Sequence, residues 1–216
     1  MAGGAIILCA LRRHGGCSLP RSSCVARFCF FRAAPLDKDA LHSALPLVSE
    51  GSIIQDSVDT LAVLMMTGSG VVKLSFFGSI GFGRVGDPLQ TADGVLLVAS
   101  LDDLMATKLK AILDRAEVRD YCDIAAMLRH GASLERALGS FRTMFKGEPA
   151  TMLRALAWFR DGDLSSLSTA DRDLLTAARD RVRDVPSVAV GSGNLAVPTG
   201  ECDEIVAMGA GPLPRN

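Results

Sequence analysis

The stretch SLDDLMATKLKAILDRAEVRDYCDIAAML, residues 100–128, decides how the second half of this chain folds. Ser100 followed by Asp103 forms a capping box, which predicts that a helix begins there. The following apolar residues recur at the spacing of one helical face. They are Leu101, Leu104, Met105, Leu109 and Ile112. The first half of the stretch is therefore predicted to be an amphipathic helix that packs on the protein core.

A lysine interrupts the apolar face of this helix. Lys108 lies seven residues after Leu101, whereas Lys110 lies half a turn away and is predicted to be solvated. An unpaired ammonium is costly to bury, so the inward lysine requires a partner. Asp120 and Asp123 have the i, i+3 spacing that makes them neighbours on the next helix. The pattern indicates either an anion-binding site or a buried ion pair.

Both features also have a purely structural interpretation. A lysine stem can pack on the core while its ammonium group reaches solvent or a carboxylate. Acidic residues are common in the first turn of a helix because the helix dipole stabilises them. Spacing alone favours these structural roles for Lys108, Asp120 and Asp123.

The helix SLDDLMATKLKAI, followed after a short gap by RDYCDI, resembles the closing motifs of the AbiEii/AbiGii-type nucleotidyltransferases. These proteins are the toxins of type IV toxin–antitoxin systems. The resemblance runs from about Phe28 to Ala189 and is specific in residues 100–128. It implies that Lys108, Asp120 and Asp123 are catalytic, and that Lys108 and Arg119 bind the nucleotide. It assigns no metal ligand in this chain.

The resemblance also implies a reaction. Intact relatives transfer a nucleotide from an NTP to an RNA or protein acceptor, with Mg²⁺ as cofactor and an antitoxin as partner. Their Asp-Phe-Asp-Phe-Phe pattern aligns here with RFCFF, residues 27–31, so Arg27 and Cys29 replace both acids, and a third acid aligns near Ser75. Mg²⁺ prefers carboxylate oxygens to thiols or guanidinium groups. The replacements argue against Mg²⁺ binding and predict severely reduced or absent catalysis. The alternatives are a non-catalytic nucleotide- or antitoxin-binding module, or a decayed fragment.

Composition limits the other function classes. Of 216 residues, 49% are hydrophobic and 22% are charged, which predicts one domain with a sizeable core. The net charge of −1 gives no general attraction to nucleic acid or membrane. The six cysteines lack zinc-type spacing, which indicates free thiols and a cytoplasmic location. The apolar run at residues 5–11 is too short to span a bilayer.

The fold class is predicted to be α/β (α+β), with a nucleotidyltransferase-like mixed sheet that is incomplete at its N-terminus and is followed by a helical subdomain. Residues 1–36 contain five arginines and no acidic residue, and residues 1–27 are predicted to be divergent and either irregular or disordered. Residues 28–99 form the partial sheet region, residues 100–185 the helical subdomain and residues 186–216 a flexible tail.

Individual elements follow from local patterns. Residues 60–66 and 71–77 are predicted to form a hairpin, and residues 95–99 a further strand. Helices are predicted for residues 36–45, 134–145 and 149–159, and for a segment from Ser168 to about Arg181. The loop GSIGFGRVGD, residues 78–87, fits no phosphate-binding fingerprint and is predicted to be a flexible connection in which Arg84 is a candidate anion contact.

Overall fold

The computed structural model describes residues 26–191, except residues 69 and 95, together with the backbone of residues 6–9. Within this part of the chain a mixed seven-stranded sheet has the order β3-β4-β5-β2-β1-β7-β6. The strands are β1 (Ile6–Cys9), β2 (Ala26–Phe31), β3 (Ser52–Ser57), β4 (Thr60–Thr67), β5 (Gly70–Phe77), β6 (Leu89–Gln90) and β7 (Leu97–Val98). The mixed α/β architecture expected from the sequence is confirmed.

The predicted hairpin is confirmed as strands β4 and β5. Their antiparallel register runs from Thr60 opposite Phe77 to Thr67 opposite Gly70. On its other edge β5 pairs in parallel with β2, in a register that places Arg27 beside Lys73. Because side chains alternate between the two faces of a sheet, this pairing decides which residues of β2 and β5 share a face.

The two faces of the sheet have different surroundings. On one face Leu61, Val63 and Phe76 form a buried cluster with Val48, which lies in α2 (Pro46–Glu50). Helix α1 (Lys38–Ala44) contributes Leu41 to the same cluster. The other face of β2 and β5 carries polar and charged side chains that line a cavity.

The second half of the chain is helical, as predicted. It contains α3 (Leu101–Asp114), α4 (Val118–Arg129), α5 (Leu134–Phe145), α6 (Pro149–Ala155) and α7 (Thr169–Arg181). Ser100, Ser133 and Ser168 cap α3, α5 and α7 by accepting hydrogen bonds from backbone N–H groups three residues later. The large core cluster is formed mainly by these helices, with Leu109, Leu138 and Leu175 fully buried.

Several element boundaries differ from the sequence predictions. Helix α1 begins at Lys38 because Asp37, and not Pro35, provides its cap by accepting from the Ala40 N–H. Helix α6 ends at Ala155, four residues early, and the Ala155 carbonyl accepts a hydrogen bond from the Tyr121 hydroxyl. The strand predicted for residues 95–99 is assigned only at residues 97–98. Strand β3 was not predicted, because it is exposed along its whole length and has no alternating pattern.

The two ends of the chain are described only in part. In the N-terminal segment the backbone of residues 6–9 forms β1, which pairs with β2 and β7. Residues 186–191 of the predicted flexible tail contact the body of the protein: Thr143 Oγ1 donates to the Val188 carbonyl over 2.8 Å, and the Gly191 N–H donates to the Arg84 carbonyl over 2.8 Å. The predictions for residues 192–216 and for most of residues 1–25 lie outside the described residues.

Gly139 tests whether the segment after α7 is bound to α5. A methyl group at this position would overlap the Pro186 carbonyl and lie 2.9 Å from Val188 Cγ2. We expect Gly139→Ala to lower the free energy of unfolding by about 1–2 kcal/mol, because the overlap outweighs the better helix propensity of alanine. Urea denaturation measures the change. Gly68→Ala is the matched control, since no atom lies within 4 Å of its added methyl group. Equal stability of the two variants would contradict the packing described here.

Candidate functional site

A cavity of about 430 Å³ lies between the polar face of the sheet and helices α3 and α4. Five of its lining side chains are cationic and two are carboxylates, which leaves a formal excess of three positive charges. The charged lining residues are Arg27, Lys73, Lys108, Arg115, Arg119, Asp120 and Asp123. Five of these residues were named as candidates from the sequence, within the two segments that were compared with the family motifs, residues 27–31 and 100–128. Lys73 and Arg115 were not predicted as site residues.

The sheet wall of the cavity is a ladder of neighbouring pairs on β2 and β5. The parallel register places Arg27 beside Lys73, Cys29 beside Ser75, and Phe31 beside Phe77. All six side chains line the cavity. The wall therefore changes from cationic through small and polar to aromatic, and the Phe31 and Phe77 rings stack with centroids 5.0 Å apart.

The positions that the resemblance aligned with metal-binding acids lie together in this wall. Arg27, Cys29 and Ser75 all face the same cavity as Lys108. Arg27 and Cys29 lie two residues apart on β2, whereas Ser75 comes from β5, so the pairing of Ser75 with Cys29 is the part of this convergence that the motif alignment does not already contain.

Lys108 is held between the two predicted acids. Its Nζ lies 2.8 Å from Asp120 Oδ1 and 2.6 Å from Asp123 Oδ2. Asp120 also accepts from Arg115, whose Nε lies 2.9 Å from Asp120 Oδ2. Asp120 is completely buried, whereas 24% of the Lys108 side chain is exposed. Of the two interpretations that the sequence left open, the structure shows the ion pair, and this ion pair lies at the edge of a cavity.

The ion pairs shift the protonation equilibria of both partners. Burial by itself raises the pKa of Asp120, but the hydrogen bond from Arg115 and the charge of Lys108 outweigh burial and lower the pKa below the usual 3.8. Burial by itself lowers the pKa of Lys108, but Asp123 and Asp120 reverse this and raise it above 10.5. Both groups are therefore charged at neutral pH.

The helical wall of the cavity lies in a segment that matches a known protein family. Residues 78–188 match the model of the family described as the nucleotidyl transferase AbiEii toxin of type IV toxin–antitoxin systems. The match covers 111 of the 216 residues, just over half of the chain. The chain belongs to this family. A search of curated proteins found no match.

Family membership identifies the chain as a nucleotidyl transferase toxin domain. The matched segment includes Lys108, Arg119, Asp120 and Asp123. The matched segment begins at residue 78, so it does not include Arg27, Cys29 or Ser75. The roles of individual site residues remain predictions. Among the described helices, none is both long and apolar enough to cross a membrane.

The donor atoms of this AbiEii-family site do not fit Mg²⁺. Both oxygens of Asp120 already accept from cations, and Asp123 Oδ2 contacts Lys108. In the described part of the chain no three His, Cys, Asp or Glu residues are grouped so that they could hold a metal ion. Burial raises the pKa of the Cys29 thiol, despite the opposing charge of Lys108, so this group stays protonated and is a poor ligand. Mg²⁺ requires several hard oxygen ligands, which this wall does not offer.

Two further cations lie at the edge of the site. The Arg119 guanidinium pairs with Glu117, and Arg119 lines the cavity as the sequence predicted. Arg115 was missed because it follows the last turn of α3, where its side-chain direction depends on how α4 is placed. Lys73 could have been found, since Val72, Leu74 and Phe76 have the two-residue spacing of one strand face and Lys73 alternates with them.

The loop at residues 78–87 takes no part in this cavity, and the expectation that Arg84 contacts an anion is not supported. Arg84 is buried, and its Nη1 donates to Asp87 Oδ1 over 2.6 Å and to the Gly86 carbonyl over 2.9 Å. The loop backbone is held in turn by Asp103, which accepts from the Val85 N–H over 2.7 Å. These contacts give the loop a structural role.

Replacement of the buried carboxylate tests the ion-pair cluster. Asp120→Asn leaves Lys108 and Arg115 beside a neutral amide, and we expect the free energy of unfolding to fall by about 3–5 kcal/mol at pH 7. Asp123→Asn is the control, because Asp123 is partly exposed and its loss should cost about 1 kcal/mol.

The stability difference between wild type and Asp120→Asn should depend on pH. The folded-state pKa of Asp120 is lowered, so its contribution is present above 3.8 and is lost as the pH falls through the folded-state value. The stability gap between wild type and Asp120→Asn should therefore narrow below pH 3.8 in urea titrations. A gap that is constant with pH would show that Asp120 does not act as a carboxylate.

Proposed function

We propose that this chain is a nucleotide-binding member of the AbiEii family in which nucleotidyl transfer is severely reduced or absent. One observation carries the proposal: an ammonium group, fixed by two carboxylates, borders a cationic cavity whose opposite wall bears Arg27 and Cys29. The resemblance aligns these two positions with the metal-binding acids of relatives. The cavity volume and charge suit the phosphates and sugar of a nucleotide.

Lys108 is proposed to contact phosphate oxygens. An ammonium group has three N–H donors, and Asp120 and Asp123 accept only two of them. The third donor is available to a ligand in the cavity. Asp120 and Asp123 act as positioning residues, because they hold the ammonium at one place and do not themselves attract an anion. Arg119 offers a second cation at the same wall.

The aromatic end of the ladder is proposed to hold the base. The three rungs are two residues apart on each strand, so the first and third rungs are separated by about 13 Å at about 3.3 Å per residue. This distance is comparable with the length of a nucleotide. Phosphates near Arg27 and a base against Phe31 and Phe77 would use the ladder along its whole length.

Loss of transfer follows from the same wall. Without carboxylates at positions 27 and 29, the developing charge on the transferred phosphoryl group would be met by fixed cations and not by a carboxylate-bound metal ion. An RNA or protein acceptor, an antitoxin partner and a cytoplasmic location remain parts of the proposal that rest on the family and on the sequence.

Calorimetric titration with each of the four NTPs, beside a radiolabel-transfer assay on bulk RNA, tests the proposal. We expect at least one NTP to bind and no label to be transferred. Binding with transfer would overturn the assigned loss of catalysis. Absence of binding to all four NTPs would overturn the nucleotide site and would leave a partner-binding module or a remnant.

The role of Lys108 has its own test. Lys108→Ala removes the phosphate contact and leaves Asp120 and Asp123 as uncompensated negative charges beside the ligand, so we expect NTP affinity to fall at least about a hundredfold. Lys110→Ala is the control on the same helix, since Lys110 pairs with Asp114 and does not line the cavity. Circular dichroism verifies folding. Unchanged affinity in a folded Lys108→Ala protein would show that the assigned role is wrong.

A further inference from the structure

We propose that Arg27 and Lys73 are the phosphate anchor of this cavity and that they hold the polyphosphate free of a divalent cation, so that Mg²⁺ weakens nucleotide binding. The inference rests on the proposed function, since it concerns how the same cavity holds its ligand. It goes beyond that function by pairing Arg27 with Lys73 as the anchor of the phosphates and by reversing the effect of the metal.

The first observation is that two like charges are direct neighbours on the sheet. Arg27 and Lys73 are register partners on adjacent parallel strands, and both line the cavity. Neighbouring strands are about 4.8 Å apart, and like charges on one face at this spacing destabilise a sheet. A local conflict of this kind is expected where an anion binds between the two groups.

The second observation is that neither cation has a counter-ion among the residues that the structure describes. Among the described residues, Arg27 and Lys73 have no carboxylate within the 4.0 Å that defines an ion pair and no hydrogen bond, although more distant acids contribute to the potential at Arg27. The other cations of the cavity are paired: Lys108 and Arg115 with Asp120, and Arg119 with Glu117. The unpaired positive charge of the cavity is therefore concentrated on the β2–β5 rung.

The pKa values of Lys73 and Arg27 are both lowered in this environment. Burial and the charge of Arg27 lower the pKa of Lys73, and burial and the charge of Arg119 lower the pKa of Arg27. Both shifts mean that the protein without ligand disfavours these charges. A bound polyphosphate removes the conflict, because its oxygens accept from both side chains.

A divalent cation competes with this arrangement. Mg²⁺ bound to a triphosphate cancels two of its negative charges and occupies the oxygens that the two side chains would contact. It would also bring two positive charges toward Arg27 and Lys73, and Cys29 and Ser75 on the next rung provide no carboxylate to offset them. The free anion is therefore the better ligand.

Calorimetric titration of the full chain with ATP, once in excess EDTA and once in excess magnesium chloride, measures the effect directly. We expect the dissociation constant to be about tenfold lower in EDTA. Inorganic tripolyphosphate, which lacks the base and the sugar, should show the same preference. Affinity that is equal in the two buffers, or higher with magnesium, would overturn the proposal.

Single substitutions identify the anchor. Lys73→Met and Arg27→Met should each weaken ATP binding in EDTA about tenfold, and Lys110→Met, outside the cavity, should leave it unchanged. Without ligand, both anchor variants should be at least as stable as wild type in urea at low salt, because the repulsion is relieved. Lower stability of both variants would indicate a structural role and would contradict the proposal.

The double variant Arg27→Asp with Cys29→Asp reverses the charge of the wall. We expect it to bind ATP more tightly with magnesium than in EDTA. If magnesium still weakens its binding, the effect does not arise from this rung and the inference fails.

Two outcomes of the nucleotide titrations distinguish failure of the anchor from failure of the nucleotide site. ATP binding by the wild type that requires magnesium overturns the metal-free anchor and leaves the nucleotide site intact. Absence of binding by ATP and by the other three NTPs in both buffers overturns the proposed function and this inference together.

Discussion

The ion pairs that the buried carboxylate of Asp120 makes with Lys108 and Arg115 are the interactions on which the rest of this structure depends. Asp120 lies on α4 and accepts from Lys108 on α3 and from Arg115 just after α3, so one carboxylate joins the two helices that form a wall of the cavity. Without these partners a buried negative charge would cost several kcal/mol, which makes the relative placement of α3 and α4 hard to change. The same interaction keeps the Lys108 ammonium at the cavity edge, with part of its surface exposed.

The opposite wall depends on a different constraint, the parallel pairing of β2 with β5. This register places every second residue of the two strands in the cavity, and it makes Arg27 a neighbour of Lys73. The two walls differ in electrostatics: each cation of the helical wall has a carboxylate beside it, whereas no described carboxylate pairs with Arg27 or Lys73 of the sheet wall. A protein selected for stability alone would not be expected to place two unpaired cations side by side, so the conflict points to binding.

The family match covers one wall of the cavity and not the other. The matched segment contains the helical wall with Lys108, Arg119, Asp120 and Asp123, and the sheet-wall residues Arg27, Cys29 and Ser75 lie on strands that precede it. The resemblance implies that Arg27 and Cys29 stand where relatives carry acids, so under the proposed function the charge that faces the ligand is positive instead of negative. The proposed anchor of Arg27 and Lys73 would suit a free anion better than a metal-bound nucleotide.

The sequence by itself determined the elements whose signals are local. The capping boxes at Ser100 and Ser168, the hairpin of β4 and β5, and the inward direction of Lys108 follow from spacings of a few residues, because helix periodicity and turn chemistry act over that range. Only the tertiary structure decided the pairing of Arg27 with Lys73 and the partner of Arg115. These contacts join segments whose proximity depends on strand order and helix packing, and no local pattern records them. The position of β3 and the early end of α6 were missed for the same reason, since neighbouring elements and not local propensity determine them.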